Sequence, residues 1–271
     1  MSFTKSFQII PLFPNHTPLF IPDIPGYGRS TSLHGPHDKR SVGSAILRSL
    51  RSLLTHTNKQ PIILIGHDRG ARICHRLAVD EVDASLFIIR GIVLLDIVPT
   101  LVQFQTFSNP ATSVGSFHWP FLANVDLATK MIMAQGGDVW TRTCLDRWVG
   151  KSSVRLKRFV ENEAVDVYAG FFKQESVIRA TCDDYRAGAQ EDVHLQEEDQ
   201  RERRKVDVDV LVVYSADYLG KRYNVRKVWE EWMGRGSLEV EGVGDGCGHF
   251  IAEEAPEKAA AAILRFYEKH V

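Results

Sequence analysis

The sequence predicts an α/β fold, with a mostly parallel sheet covered by helices and a helical cap inserted into it. Three observations predict this. Apolar runs of strand length, Pro61-Ile62-Ile63-Leu64-Ile65 and Ile92-Val93-Leu94-Leu95, alternate with helical patterns. The first run leads through the Gly-flanked turn Gly66-His67-Asp68-Arg69-Gly70 into a helix-like stretch, Ala71 to Val79. From about residue 101 to 195 the chain is rich in aromatics and helix-like segments, with no clear strand.

The elements follow in order. Thr17 to Ile24 reads as a short buried strand, followed by the turn-rich loop Pro25-Gly26-Tyr27-Gly28-Arg29-Ser30. Asp38 can cap a helix that carries Val42, Ala45, Ile46, Leu50, Leu53 and Leu54 on one face. The strand–turn–helix around Asp68 comes next. The apolar strand Ile92 to Leu95 then ends at Asp96, and the connection before it, Asp83 to Arg90, is long. After the helical stretch, Gln196 to Lys205 is almost entirely charged and reads as a solvated helix end or loop. The sheet resumes with Val208 to Tyr214. A helix with Val225, Val228, Trp229 and Trp232 leads to a strand at Leu238 to Val243. The glycine-rich loop Gly246-Cys247-Gly248-His249-Phe250 presents one histidine, and a closing helix starts at Pro256, where proline is favoured. The boundaries are therefore core at 1–100, helical cap at 101–195 and core again at 196–271.

Bulk properties exclude several classes. The 271 residues, 44% hydrophobic and 25% charged, suit one large globular domain or one with an inserted subdomain. A net charge of -1 gives no reason to expect nucleic acid or an anionic membrane as partner. Cys74, Cys144, Cys182 and Cys247 lie far apart with no CxxC pair, which argues against zinc and disulfides and suits a reducing compartment. No apolar run approaches the ~20 residues of a transmembrane helix. The N-terminus is a poor signal peptide, so a cytoplasmic location is expected.

The chemistry is carried by the turn. A strand, a sharp turn and a helix make a nucleophile elbow, and its middle residue here is Asp68. A carboxylate is already ionised at neutral pH and can attack a saturated carbon without a base, leaving an ester on the enzyme. A second group must then direct water at that ester. His249 in its glycine loop is the candidate base, and Asp96 the candidate acid that orients it. Asp217, after the next strand, competes with Asp96 for that role. Arg69 and Arg72, three apart, share a helix face at the elbow and suit a carboxylate substrate. Each has a structural alternative: a helix cap for Asp68, a strand-end cap for Asp96, a surface position for the arginines. His67, His75 and Tyr27 read as structural.

The order nucleophile, acid, histidine resembles the α/β-hydrolase superfamily, and within it the fluoroacetate (haloacetate) dehalogenases. The matching stretches are Pro22 to Ser30, Gly66 to Arg72 with His75-Arg76-Leu77-Ala78, and Leu94 to Thr100. Further on are His118-Trp119, Asp184 to Ala189, and Gly248-His249-Phe250 with Glu253-Glu254. The resemblance implies an α/β-hydrolase fold, Asp68, Asp96 and His249 as the triad, and Arg69 and Arg72 as carboxylate ligands. It also implies that His118, Trp119 and Tyr185 hold the departing halide; their N–H and O–H groups are neutral donors. Without the resemblance, isolated aromatics in a helical region read as packing.

The start departs from that pattern. In the family a central strand and a His-Gly loop precede the stretch matching Pro22, and no such motif is present here. The segment Phe7 to Phe13 resembles the helix after that loop. N-terminal strands are thus missing, and one gap falls between the expected strand near Phe20 and the strand near Leu64. An unfilled gap would leave backbone groups unpaired. The expectations are a shortened gene product, a replacement strand from residues 1 to 13, or an inactive relative.

Three functions compete. The first is hydrolytic dehalogenation of short 2-halo acids, with water as co-substrate and no metal or organic cofactor. The second is epoxide hydrolysis, with Tyr168 or Tyr185 as proton donor and the arginine pair unexplained. The third is a catalytically silent small-molecule binder. A carboxylesterase would want serine at position 68. The resemblance also implies a possible homodimer.

Overall fold

The computed structural model describes residues 8–56, 58–80 and 85–270. Four strands, β1 (Gln60–His67), β2 (Phe87–Leu95), β3 (Asp209–Ser215) and β4 (Leu238–Val243), form one sheet in the order β1-β2-β3-β4. All three pairings are parallel. Strand α-carbons alternate between two faces, and both faces are covered. On one face Val93, Leu95, Leu211 and Val213 pack under Ala259, Ile263 and Phe266 of α14 (Pro256–Glu268). On the other, Ile92, Leu94, Val210 and Val212 pack under Ala71, Cys74 and Ala78 of α2 (Arg69–Asp80) and Trp229 of α12 (Val225–Glu230). This explains why the strands read as unbroken apolar runs rather than alternating ones.

Helix α1 (Lys39–Leu53) starts as its sequence predicts: the Asp38 carboxylate accepts a hydrogen bond from the Ser41 amide at 3.0 Å. It lies on α2, with Gly43 allowing close approach to Leu77. Between β2 and β3 every described element is helical. In order these are α3 (Thr100–Gln105), α4 (Pro110–Gly115), α5 (His118–Ala123), α6 (Val125–Gln135), α7 (Gly137–Trp148), α8 (Ser153–Val160), α9 (Ala164–Phe171), α10 (Glu175–Ala189) and α11 (Glu191–Glu202), with short 3-10 turns between some of them. Trp119, Leu122, Ala128, Ile132, Ile178 and Tyr185 make one core of this region, and Leu145, Phe159 and Tyr168 another that also takes in Phe250. A short helix, α13 (Ile251–Glu254), follows His249.

Four expectations are corrected. Thr17 to Ile24 is not a strand, and Leu19 and Phe20 are 43% and 36% exposed. Among the described residues it has no neighbouring strand to pair with, and of its apolar residues only Ile24 is buried. Ile10–Leu12 forms a 3-10 turn rather than a replacement strand; residues 1 to 7 lie outside the described residues. Among the described residues no strand precedes β1, which pairs with β2 alone and leaves Ile65 40% exposed. The charged stretch from Gln196 is not simply a solvated end. Gln196 and Asp199 are buried in α11, where Gln196 accepts from the Leu101 amide at 2.8 Å and Asp199 pairs with Arg76 at 2.6 Å. Of the long connection before β2, Phe87 to Arg90 already belong to the strand, and residues 81–84 lie outside the described residues.

Candidate active site

The elbow is built from backbone constraint. Asp68 joins β1 to α2 with φ at 47°, a left-handed conformation that non-glycine residues seldom adopt. A Cβ at Gly66 would lie 2.3 Å from the Gly70 carbonyl carbon, so strand and helix can approach only with glycine there. Asp96 is turned similarly at the end of β2, with φ at 54°. Both carboxylates therefore emerge at the carboxyl ends of parallel strands, where open α/β sheets bind their ligands.

The structure brings together the three residues singled out by their order. Asp96 is buried; its Oδ1 accepts from the Ser215 amide at 2.8 Å, and its Oδ2 lies 2.7 Å from His249 Nδ1. On the other side of the ring, His249 Nε2 is 3.9 Å from Asp68 Oδ2. Asp217 is elsewhere: its carboxylate accepts from the Gly246 amide at 2.8 Å and shapes the histidine loop without touching the ring. That loop is held firmly. The His249 amide donates to the Trp148 carbonyl at 2.9 Å, and His67 Nε2 lies 2.7 Å from the His249 carbonyl oxygen. The buried Glu254 carboxylate accepts from the amides of Gly150, Gly248 and Phe250 at 2.7 to 3.0 Å.

Charge in the site is arranged around Asp68. Burial opposes its ionisation, but His249, Arg69 and Arg72 outweigh burial and hold its carboxyl well below the usual range. Burial likewise opposes protonation of His249, and the carboxylates of Asp68 and Asp96 reverse this and raise its pKa. Burial keeps the Asp96 pKa above its ordinary value in spite of the His249 contact.

The two arginines diverge. Arg69 lies under Tyr185, its guanidinium carbon 3.5 Å from the ring centroid, with Nε 3.2 Å from Asp184. Its Nη1 and Nη2 are buried and make no hydrogen bond. Arg72 Nη1 donates to the Val98 carbonyl at 3.0 Å and the Thr100 hydroxyl at 3.1 Å, and its Nε, 4.0 Å from Asp68, makes no hydrogen bond. Burial and the neighbouring Arg69 pull the Arg72 pKa down to about 10. Neither is a surface arginine. Asp184 holds Arg69 and is held by Lys39, whose ammonium also pairs with Asp192, all four groups being buried.

His118, Trp119 and Tyr185 are buried side by side, with Trp119 edge-on to Tyr185 at 5.5 Å and His118 6.0 Å from Tyr185. Burial, then Arg69, pushes the His118 pKa down to about 3, so its ring is neutral at pH 7; its Nδ1 makes no hydrogen bond. Burial pushes the Tyr185 hydroxyl up to about 12. The three line a cavity of about 50 Å³ together with Asp68, Arg72 and His249. A second cavity of about 150 Å³ adjoins Asp68 and Arg69 and is walled by Leu122, Trp140, Leu145 and Phe172. Tyr168 borders it, and its hydroxyl donates to Glu253.

Sequence reasoning missed Trp148, which lines both cavities, and Tyr218 and Arg222, which line the smaller. Tyr218 lies 5.6 Å from His249, with Arg222 over its ring at 4.2 Å. Their position just after a strand's carboxyl end was the available signal. Trp148 offered none. Of the residues read as structural, His75 packs edge-on against Trp229, His67 holds the His249 carbonyl, and Tyr27 donates to Asp184 at 3.1 Å but also borders the larger cavity. Among the described residues, no cluster of His, Cys, Asp or Glu could hold a metal ion, and no helix is long and apolar enough to cross a membrane.

An elbow on a parallel sheet, a strand-end acid and a looped histidine are the parts of one superfamily, and comparison with known proteins agrees. The profile of the α/β hydrolase family matches residues 2–262, and the chain belongs to that family. It is 26% identical over 262 residues to a fluoroacetate dehalogenase of Burkholderia sp., covering 96% of this chain and 81% of that protein. It is 24% identical over 274 residues to a soluble epoxide hydrolase of Corynebacterium sp. (strain C12), covering 96% and 84%. Among solved structures, a protein of Nostoc sp. PCC 7120 described as an α/β hydrolase superposes with a TM-score of 0.83 at 30% identity, covering 98% of this chain and 87% of that one.

Proposed function

We propose that this hydrolase removes halide from short 2-halo acids through an ester on Asp68. The observation that carries the reading is the buried arginine pair beside Asp68, in which Arg69 Nη1 and Nη2 and Arg72 Nε have no hydrogen-bond acceptor although Arg69 pairs with Asp184 and Arg72 Nη1 is bonded to Val98 and Thr100. Buried N–H donors left without acceptors are costly, and a substrate carboxylate would supply acceptors for them. A neutral substrate would not.

The steps follow from the contacts. Arg69 and Arg72 draw the carboxylate in. Asp68, held ionised, attacks the carbon bearing the halogen; the new bond is carbon–oxygen, and the electron pair of the carbon–halogen bond leaves with the halide. His118, Trp119 and Tyr185 offer neutral N–H and O–H groups to that ion in a confined space, where such dipoles stabilise charge well. His249, oriented by Asp96, takes a proton from water as the water attacks the ester carbonyl. A 2-hydroxy acid departs and Asp68 is restored. Substrate and water are the partners this chemistry needs, and no cofactor enters it.

Epoxide hydrolysis is the second reading, favoured by the Corynebacterium relative and by Tyr185 at the border of both cavities. Tyr168 is a weaker donor for it because its hydroxyl is committed to Glu253. Halide release from chloroacetate and fluoroacetate, run beside diol formation from a simple epoxide, tests the choice. Halide release that falls at least about tenfold in Arg69→Met supports the proposal. Diol formation without halide release would reverse it, and neither product from folded protein would favour the silent binder.

A further inference from the structure

We infer that the substrate carries an apolar substituent of about four to six carbons on the carbon that Asp68 attacks, and that the 150 Å³ cavity receives it. This rests on the dehalogenase reading above and narrows its substrate class.

The two cavities share Asp68, Trp148 and Tyr185, so the nucleophile sits at their junction. The smaller one, about 50 Å³, has room for a halide or a water beside His118 and His249. A haloacetate bound between Asp68 and Arg69 leaves the apolar part of the larger one unfilled, because its reacting carbon carries no further substituent. An apolar cavity of about 150 Å³ stays dry and takes a group as large as benzene. The walls here are apolar in effect as well as in composition. Of the five hydroxyls on these walls, four are already satisfied within the protein: Tyr27 by Asp184, Tyr168 by Glu253, Thr141 by the Gly137 carbonyl and Thr181 by the Val177 carbonyl; the fifth, Tyr185, lies at the junction with the smaller cavity. Among the described residues, only Asp68 and Arg69 bring charge to this space. Arg69 borders the larger cavity and not the smaller, so a carboxylate bound to it has the apolar space as its neighbour.

With 2-bromohexanoate as probe, an Asp68 oxygen bonds to C2 as the carbon–bromine bond breaks and its electron pair leaves as bromide. Water then adds to the Asp68 ester carbonyl, His249 carries the proton, and the products are 2-hydroxyhexanoate, bromide and a proton.

The test pairs equilibrium binding with turnover. Hexanoate and acetate are titrated by calorimetry, and 2-bromohexanoate and bromoacetate are compared by bromide release. All are repeated on Cys144→Phe and Val177→Phe, since Cys144 and Val177 both line the larger cavity, with each variant checked for folding by circular dichroism. Hexanoate is expected to bind about a hundredfold tighter than acetate, from four added methylene-sized groups. The KM for 2-bromohexanoate is expected at least about tenfold below that for bromoacetate. Either phenylalanine should erase both preferences while leaving bromoacetate turnover within about twofold. Equal binding of hexanoate and acetate by the unaltered protein overturns the inference, as does an undiminished preference in a folded filled variant. If neither bromide is released but the hexanoate preference and its loss persist, the cavity assignment stands and the dehalogenase reading falls.

Discussion

Asp68 and His249 support each other's charge before any reaction, and the proposed ester removes that support at a useful moment. His249 is raised in pKa against the effect of burial partly because Asp68 is an anion 3.9 Å away. Esterification neutralises Asp68, so the imidazole should release its proton more readily just when a base is needed. The sign for pH follows. Asp68 is held ionised well below neutrality, so ester formation should persist in mild acid. Ester hydrolysis needs neutral His249 and should fail as pH drops. Acid-quenched mass spectrometry of the unaltered enzyme turning over chloroacetate should show more ester at about pH 5 than at about pH 8. The competing acids can be separated too. Asp96→Asn should slow turnover by about 10²- to 10⁴-fold and accumulate ester, whereas Asp217→Asn should stay within about threefold, as measured by chloride release. Asp68 and His249 were legible because glycines isolate them in tight turns. Position alone did not separate Asp96 from Asp217, since both follow strands; the family resemblance of Leu94 to Thr100 favoured Asp96, and the 2.7 Å contact to His249 Nδ1 agrees with it.

At the scale of elements, the histidine loop is tied to the helical insertion by one buried side chain. Glu254 accepts from Gly150, just after α7, and from Gly248 and Phe250 on either side of the histidine. Glu254→Ala leaves three amides unpaired and should cost about 3 kcal/mol or more. The melting temperature should then fall by roughly 10 °C, while Glu254→Gln, which keeps one acceptor oxygen, should lose less. Element existence was readable where pattern and punctuation agreed. The Asp38 cap, the strands β3 and β4 to within a residue, the carboxyl end of β2 and the proline opening α14 stand in the structure where the sequence puts them, whereas β2 starts five residues earlier. The misread segment, Thr17 to Ile24, shows why the rest was not readable: a strand needs a partner, and periodicity in one segment carries no information about its neighbour. Burial of Gln196 and Asp199 was hidden for the same reason, because their partners Leu101 and Arg76 lie about a hundred residues away.

Across the whole molecule, one buried charge network joins parts of the chain that sequence order keeps apart. Lys39 opens α1, Asp184 and Asp192 belong to α10 and α11, and Arg69 opens α2 beside Asp68. Two cations face two anions. Lys39→Met would leave Asp184 and Asp192 short of a partner and should destabilise the protein by about 3–5 kcal/mol, measurable as a lower urea midpoint. The edge at β1 is the opposite case: among the described residues β1 pairs with β2 alone, although Asp68 at its end takes the tight left-handed turn of the elbow. The central claim is that this elbow forms an ester with a halo acid, and intact-protein mass spectrometry of His249→Asn exposed to chloroacetate tests it most directly. The account predicts a carboxymethyl adduct that builds up and is absent when Asp68→Ala is added. A folded His249→Asn protein that gains no adduct, or one that keeps it without Asp68, would contradict it.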